Sequence, residues 1–195
     1  MLGLMQNLPL MISSLIRHAD RNHGDTEIVS RETAGGLHRY TYRDAHRRAR
    51  QLARALLAQG VKPADRVATL AWNTHRHFEL YYGVSGIGAI LNTINPRLFP
   101  EQIGYIVNHA DDGLVFFDLT FLPLVEGLAP HCKGVRSWVA LTDRTRLPAS
   151  TLSEMPHSSA SIGESEVVSV SIANSSALRS FATTSSSSFF VFTQR

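Results

Sequence analysis

The side chains that could do chemistry in this sequence are histidines near acids, one cysteine and a group of glycines. His75 and His77 are one residue apart, and a helix would turn them about 200° from each other, so they share a metal ion only if the segment is extended. His109 precedes Asp111 and Asp112, which could support acid–base chemistry. Because the helix dipole also favours a histidine in the last turn of a helix, we interpret His109 as structural.

The cysteine and the glycines do not form a catalytic or phosphate-binding motif. Cys132 has only a histidine and a lysine as neighbours, and no serine lies in a Gly-x-Ser-x-Gly motif, so no activated nucleophile is predicted. Gly83, Gly86 and Gly88 reverse the spacing of the dinucleotide fingerprint and close a predicted helix instead of opening one. We interpret them as close packing of a helix on a sheet. The residues therefore predict no catalytic, cofactor-binding or metal-ligating position.

Charge and composition exclude several classes of partner. The formal net charge is +3, and one predicted helix face carries Arg43, Arg47, Arg50 and Arg54. No aromatic residues alternate with these arginines to stack on bases, so we interpret the face as solvated and expect no nucleic-acid partner. No run approaches about 18 apolar residues, which predicts no membrane span. The single cysteine, Cys132, excludes an intrachain disulfide, and we expect a cytoplasmic location.

Apolar periodicity and cap residues predict an α/β fold. A short amphipathic helix is predicted over 8–16, and a hairpin over 26–31 and 37–42. Thr41 and Asp44 resemble a capping box that starts a helix ending at Gly60. Strands then alternate with helices from about residue 41 to residue 141, which predicts a mainly parallel sheet flanked by helices. The remaining predicted strands lie at 66–71, 86–94, 113–118 and 135–141, and the helices follow Thr74, Pro100 and Phe121.

The composition of the chain changes at residue 150. Serine occupies 6 of the first 150 positions and 14 of the last 45, and 12 of the 13 glycines precede the change. We predict a folded domain over 1–150 and a Ser-rich, mostly unstructured tail over 151–195, because serine leaves too little apolar area to offset chain entropy. Within the tail, residues 167–172 and 189–192 are uncharged and strand-prone.

Six blocks in the first part resemble the start of AMP-forming acyl-CoA synthetases, the fatty-acid ligase branch of the adenylate-forming superfamily. Their order and spacing match over roughly residues 8 to 147. The blocks are YTYRD at 40–44, GVKPADRVA at 60–68, WNTHRHFELYY at 72–82, GAILNTINPRL at 88–98, QIGYIVNHA at 102–110 and LVFFD at 114–118. The resemblance implies an incomplete N-terminal subdomain of the adenylate-forming fold.

The resemblance also implies a reaction and its cofactors. Family members use ATP and Mg²⁺ to convert a carboxylic acid to an acyl-adenylate, and they then transfer the acyl group to coenzyme A. Holding the triphosphate needs a loop rich in glycine and in serine or threonine that ends in lysine. The tail offers Thr183-Thr184-Ser185-Ser186-Ser187-Ser188, which has neither glycine nor lysine. We therefore expect an inactive ligase fragment that holds no cofactor, with ATP, Mg²⁺ and coenzyme A implied only for the full-length family.

Two origins of the tail and one other function remain open. A frame shift or truncation near residues 148–152 is the favoured origin, and a genuine tail on a shortened protein is the alternative. The alternative function is a non-catalytic interaction module that pairs with itself or with an intact homologue. We also expect poor solubility, because the later strands of the parent sheet are missing and one parallel edge would lack a partner.

Overall fold

The computed structural model describes residues 3–4, 7–142, 169–172 and 188–193, the last two segments as backbone. The helices are α1 (Ile12–His23), α2 (Tyr42–Ala58), α3 (His75–Gly86), α4 (Pro100–Ala110) and α5 (Leu122–Leu128). The strands are β1 (Glu27–Arg31), β2 (Leu37–Thr41), β3 (Arg66–Leu70), β4 (Ile90–Thr93), β5 (Leu114–Asp118), β6 (Ser137–Thr142), β7 (Ser169–Ile172) and β8 (Ser188–Thr193). Within the described residues, no helix combines the length and apolar composition that a membrane span needs.

The strands form a small hairpin and a larger mixed sheet. β1 and β2 pair antiparallel, while the larger sheet has the order β4-β3-β5-β6-β8-β7. The pairs from β4 to β6 are all parallel, and β8 then runs antiparallel to β6. The fold is α/β with a parallel sheet flanked by helices, as the sequence predicts.

Each face of the parallel sheet has its own core. Successive side chains of a strand point to opposite faces, so Trp138 and Val139 of β6 belong to different clusters. The cluster that contains Trp138 includes buried residues of α4 and α5, and the one that contains Val139 includes residues of α2 and α3. Because helices cover both faces, the strands read as near-continuous apolar runs.

The predicted capping box at the start of α2 is confirmed. The Thr41 hydroxyl accepts from the Asp44 amide at 3.2 Å, and the Thr41 amide donates to the Asp44 carboxylate at 3.2 Å. Burial opposes ionisation of Asp44, but the bonds from Thr41 outweigh it and lower the pKa of that carboxyl. Gly60 follows the helix at a φ of 79°, a conformation that favours glycine.

The predicted bounds of the first helix are wrong. The helix begins at Ile12 instead of residue 8, and it continues through the charged residues to His23. Tertiary contacts select these bounds: Ile16 is buried in a cluster with Tyr40 of the hairpin, and the Asp20 carboxylate lies 2.6 Å from His46 Nδ1 on α2. Residues 7–11 are exposed and precede the helix.

The predicted partner of the glycines is also wrong. A Cβ at Gly83 would lie 2.9 Å from Leu52 Cδ2 and 3.1 Å from the Ala49 carbonyl oxygen, and both residues lie on α2. The close contact is thus helix against helix, not helix against sheet. Gly86 has open space around it, and Gly88 has a φ of 78°, so the three glycines serve different local needs.

Two strands come from the strand-prone segments of the tail. β8 pairs along the whole of β6, the last of the parallel strands. The expectation that the sheet edge at this strand lacks a partner is therefore wrong. The prediction of a mostly unstructured tail otherwise concerns residues 151–168 and 173–187, which lie outside the described residues.

Candidate functional site

The carboxyl ends of β3 and β5 form the best candidate site in the described structure. The chain leaves β3 for β4 on one side of the sheet and returns to β5 on the other side, so strand order reverses between β3 and β5. In open α/β sheets, ligands bind in the crevice that such a reversal leaves at the carboxyl ends of the strands. The residues that follow these two strands therefore decide what this edge can bind.

Trp72 and Asp118 tie the two loops together across this crevice. The Trp72 amide donates to Asp118 Oδ2 at 2.6 Å, and the Trp72 indole N–H donates to the Thr120 hydroxyl at 3.0 Å. The indole also lies 5.1 Å from the Phe121 ring, centroid to centroid. These contacts join the loops that follow β3 and β5 across the crevice.

Asp118 is a fully buried acid at this edge. The residue is 0% exposed, and burial raises the pKa of its carboxyl to about 6 despite the bond from Trp72. Its Oδ1 atom has no hydrogen-bond partner among the described residues. The Asp118 carboxyl supplies no positive charge for a phosphate, and its ionised form would repel one.

We expect the Asp118→Asn variant to lose part of the pH dependence of stability. Because the folded pKa of about 6 lies above the ordinary value of 3.8, Asp118 contributes most stability below pH 3.8 and loses that contribution as the pH rises through 6. From pH 4 to pH 7 the parent should therefore lose about 2.5 kcal/mol of stability, a loss that the variant should not show. Urea unfolding across that range measures the difference, with the exposed Asp25→Asn as a control. Identical pH profiles for parent and Asp118→Asn would contradict the assignment.

The amino end of α3 also lies at this edge, but an acidic side chain that follows the first strand of the hairpin already contacts it. The His75 amide donates to the Ser30 hydroxyl at 2.9 Å. The Glu32 carboxylate lies 2.7 Å from His75 Nδ1 and accepts from Arg76 Nη1 at 2.7 Å. A helix start favours a nearby anion, and here the chain supplies one from the residue after β1. Thr74, the predicted cap, occupies the cap position but makes no side-chain cap bond.

A second buried ion pair fastens α3 to α2. Arg48 Nε donates to Glu79 Oε1 at 2.6 Å, and the side chains are 10% and 1% exposed. Burial raises the pKa of Glu79, while the Arg48 charge opposes that rise. The sequence analysis did not single out either residue. Arg48 stands three residues after Ala45 and four before Leu52, so helical spacing alone would have placed it on the apolar stripe.

The predicted histidines are brought to different partners. His75 contacts Glu32, whereas His77 Nε2 lies 3.1 Å from the Thr69 hydroxyl. Burial lowers the pKa of His77, which favours its neutral form. His109 lies in the last turn of α4, as predicted, with its ring 5.3 Å from that of Tyr105. Among the described residues, no three histidine, cysteine or acidic side chains gather as a metal site.

The remaining candidates do not form an acid–base or nucleophilic site. Asp112 is 1% exposed and accepts from Asn92 Nδ2 at 2.8 Å, and burial raises the pKa of its carboxyl to about 6. Cys132 is fully buried, and burial raises the pKa of its thiol, which disfavours the reactive thiolate. The arginines at 43, 47, 50 and 54 are exposed, as the interpretation of a solvated face requires.

One groove lies between α4 and α5, with a volume of about 600 Å³. Tyr105, Asn108 and His131 supply its polar groups, and Glu101 is the only acidic residue in its lining, which contains no lysine or arginine. A triphosphate needs cations and clustered backbone amides, so this groove does not suit one.

The sequence and the fold match known proteins. The family model for AMP-binding enzymes matches residues 15–184. The 3-methylmercaptopropionyl-CoA ligase of Ruegeria pomeroyi is 52% identical over 152 residues, which cover 78% of this chain and 28% of that protein. The medium-chain-fatty-acid–CoA ligase of Ectopseudomonas oleovorans is 48% identical, over 72% of this chain and 26% of that protein. The chain thus spans about a quarter of the length of these relatives.

Solved structures give the same fold. A proposed long-chain-fatty-acid CoA ligase from Rhodopseudomonas palustris aligns with a TM-score of 0.58 at 30% identity, covering 67% of this chain and 32% of that one. The N-terminal domain of FACL13 from Mycobacterium tuberculosis aligns with a TM-score of 0.59 at 22% identity, covering 67% and 33%. The second likeness is one of fold alone.

Proposed function

The chain belongs to the AMP-binding enzyme family, and we infer that it is a portion of an ATP-dependent acyl-CoA ligase that does not catalyse ligation by itself. The curated relatives are named as CoA ligases, and the chain covers 28% or less of the two described above. The observation that carries the proposal is the arrangement of side chains at the carboxyl ends of β3 and β5. Glu32 already serves the start of α3, and the crevice carries the buried acid Asp118.

The described residues do not fit a magnesium–triphosphate site. Such a site needs several backbone amides directed at the phosphates, a cationic side chain and an oxygen ligand for the metal. Arg76, in the first turn of α3, is already paired with Glu32. We therefore assign no catalytic, cofactor-binding or metal-ligating residue. ATP, Mg²⁺ and coenzyme A belong to the full-length reaction, whose acid substrate is a carboxylic acid of unspecified chain.

Purified 195-residue chain mixed with ATP, Mg²⁺, a fatty acid and coenzyme A should release no pyrophosphate above background. The physical reason is that nothing in the described structure neutralises the charge that develops on the triphosphate. A coupled pyrophosphate assay measures the rate, with the intact ligase of Ectopseudomonas oleovorans as the positive control. Turnover that depends on both the acid and ATP would refute the proposal.

The boundary at residue 150 is part of the same proposal. Matches to three relatives extend over 141 to 152 residues, close to the length of the 1–150 segment. The family model continues to residue 184, so the boundary needs its own test. Translating the other two frames of the underlying DNA provides it. A glycine-rich phosphate loop just downstream in another frame would support a frame shift, and its absence from both frames would exclude a frame shift.

We also propose that the chain is cytoplasmic.

An interaction module is the second candidate function, and the exposed apolar residues around the start of α1 favour it. Leu8, Met11, Ile12 and Leu15 are all exposed, and Leu15 is 62% exposed. Apolar side chains grouped in this way mark a contact surface more often than isolated ones do. The expected partner is a second copy of the chain or an intact homologue.

Sedimentation distinguishes the module from a simple inactive portion. A module should dimerise as concentration rises, and Leu15→Gln should weaken the association at least about tenfold, a loss of roughly 1.4 kcal/mol. His18→Gln, on an exposed polar position of the same helix, is the matched control. A monomer at all concentrations that also fails to bind a full-length homologue would exclude this function.

A further inference from the structure

We propose that the edge of β6 opposite β5 is a strand-acceptor site, which β8 of the same chain fills. β6 pairs in parallel with β5 along one side, from Leu114 opposite Ser137 to Asp118 opposite Leu141. Its other side presents backbone N–H and C=O groups that need partners of their own.

The composition of β6 makes it an unusually receptive edge. Natural edge strands use charged side chains and proline to block pairing. The sequence of β6, Ser-Trp-Val-Ala-Leu-Thr, has neither. Side chains on both faces are already buried in the two cores. Further contact can therefore come only through the backbone along the open edge, which an extended segment supplies.

β8 matches this edge over its whole length. The register runs without interruption from Ser137 opposite Thr193 to Thr142 opposite Ser188. The sequence of β8, Ser-Phe-Phe-Val-Phe-Thr, is also uncharged and free of proline. The edge thus accepts an uncharged, β-prone segment that runs antiparallel to β6. This recognition works through main-chain hydrogen bonds, as in strand addition to sheet edges.

β7 completes the arrangement by moving the sheet edge to a more polar strand. It pairs in parallel with β8 over four residues, from Ser169 opposite Ser188 to Ile172 opposite Val191. Serine alternates with apolar residues in β7, and the strand is short, as protected edges often are. Filling the site within one chain therefore removes the long apolar edge. Without β8, the same edge is left open to an added strand.

A cross-link tests both the register and the source of the strand. Val139 stands opposite Val191, so Val139→Cys with Val191→Cys in the full chain should form a disulfide under mild oxidation. Val139→Cys with Phe189→Cys is the matched control, because that diagonal pair is about 7–8 Å apart. Each single variant controls for pairing with Cys132. Non-reducing electrophoresis should show the cross-link in the monomer at more than about five times the control yield.

The other outcomes overturn the proposal. A cross-link found mainly in dimers would mean that a second copy fills the site, and equal yields for the two pairs would mean that β8 has no fixed register. Amide exchange provides a second readout in a chain ending at Ser187. Every second amide of β6 should lose protection at least tenfold, while the intervening amides, which face β5, keep theirs. A peptide of residues 188–195 should restore the protection, and the same peptide with Val191→Pro should not. Unchanged protection of all β6 amides would contradict the proposal.

Discussion

Replacing Arg48 with alanine is expected to lower the free energy of unfolding by about 3–5 kcal/mol. The change leaves Glu79, whose side chain is 1% exposed, without the cation that lies 2.6 Å away. The arginine charge opposes the rise of the Glu79 pKa, so its loss should raise that pKa further and make the variant's defect smaller at low pH. Urea unfolding at pH 5 and pH 8 measures both effects.

Two further variants separate the buried charge from a general effect of the helix. Arg47→Ala removes the neighbouring arginine, which is 63% exposed and pairs with Asp44, and it should cost no more than about 0.5 kcal/mol. Replacing both partners, as Arg48→Met with Glu79→Leu, should recover most of the lost stability, because no buried charge is then left alone. Equal losses for Arg47→Ala and Arg48→Ala would show that the buried pair is not what matters.

Replacing Trp138 with alanine is expected to cost about 3–5 kcal/mol, because it empties a large volume in the core beside β6. Trp138 is 0% exposed and belongs to the cluster that joins the sheet to α4 and α5. Its indole N–H has no partner among the described residues. Trp138→Phe should therefore cost much less than Trp138→Ala. The phenyl ring keeps most of the ring volume, and the change removes an unpaired buried donor whose burial costs roughly 1–3 kcal/mol.

The comparison of the two Trp138 variants is read from denaturant midpoints at constant slope. A loss below about 1 kcal/mol for Trp138→Ala would mean that β6 is not packed as described. A loss for Trp138→Phe as large as that for Trp138→Ala would mean that the indole N–H does have a partner.

Local signals in the sequence predicted the main elements well. The capping box at Thr41 and Asp44 is formed, and the alternation of strands and helices gives the parallel sheet. These features depend on residues within one or two turns of each other, or on the burial of a whole strand. The extension of α1 to His23 was not predictable in this way, because Asp20 in its last turns contacts His46, which is 26 residues away in sequence.

The candidate site was harder to predict because its important contacts join distant segments. Glu32 and Arg76 are 44 residues apart, and Trp72 and Asp118 are 46 apart. No local sequence motif predicts either pair. The absence of a phosphate loop was visible in the sequence, but only the fold shows that Glu32 already serves the helix start where an anion could otherwise bind. The two observations together support the proposal that the chain shares the family's fold but does not catalyse ligation by itself.

Calorimetric titration of the purified 195-residue chain with Mg²⁺ and ATP tests the central claim most directly. The intact ligase of Ectopseudomonas oleovorans serves as the reference, measured under the same conditions. We predict heats no larger than those of dilution at nucleotide concentrations that saturate the reference enzyme. A saturable isotherm with one ATP per chain would contradict the account.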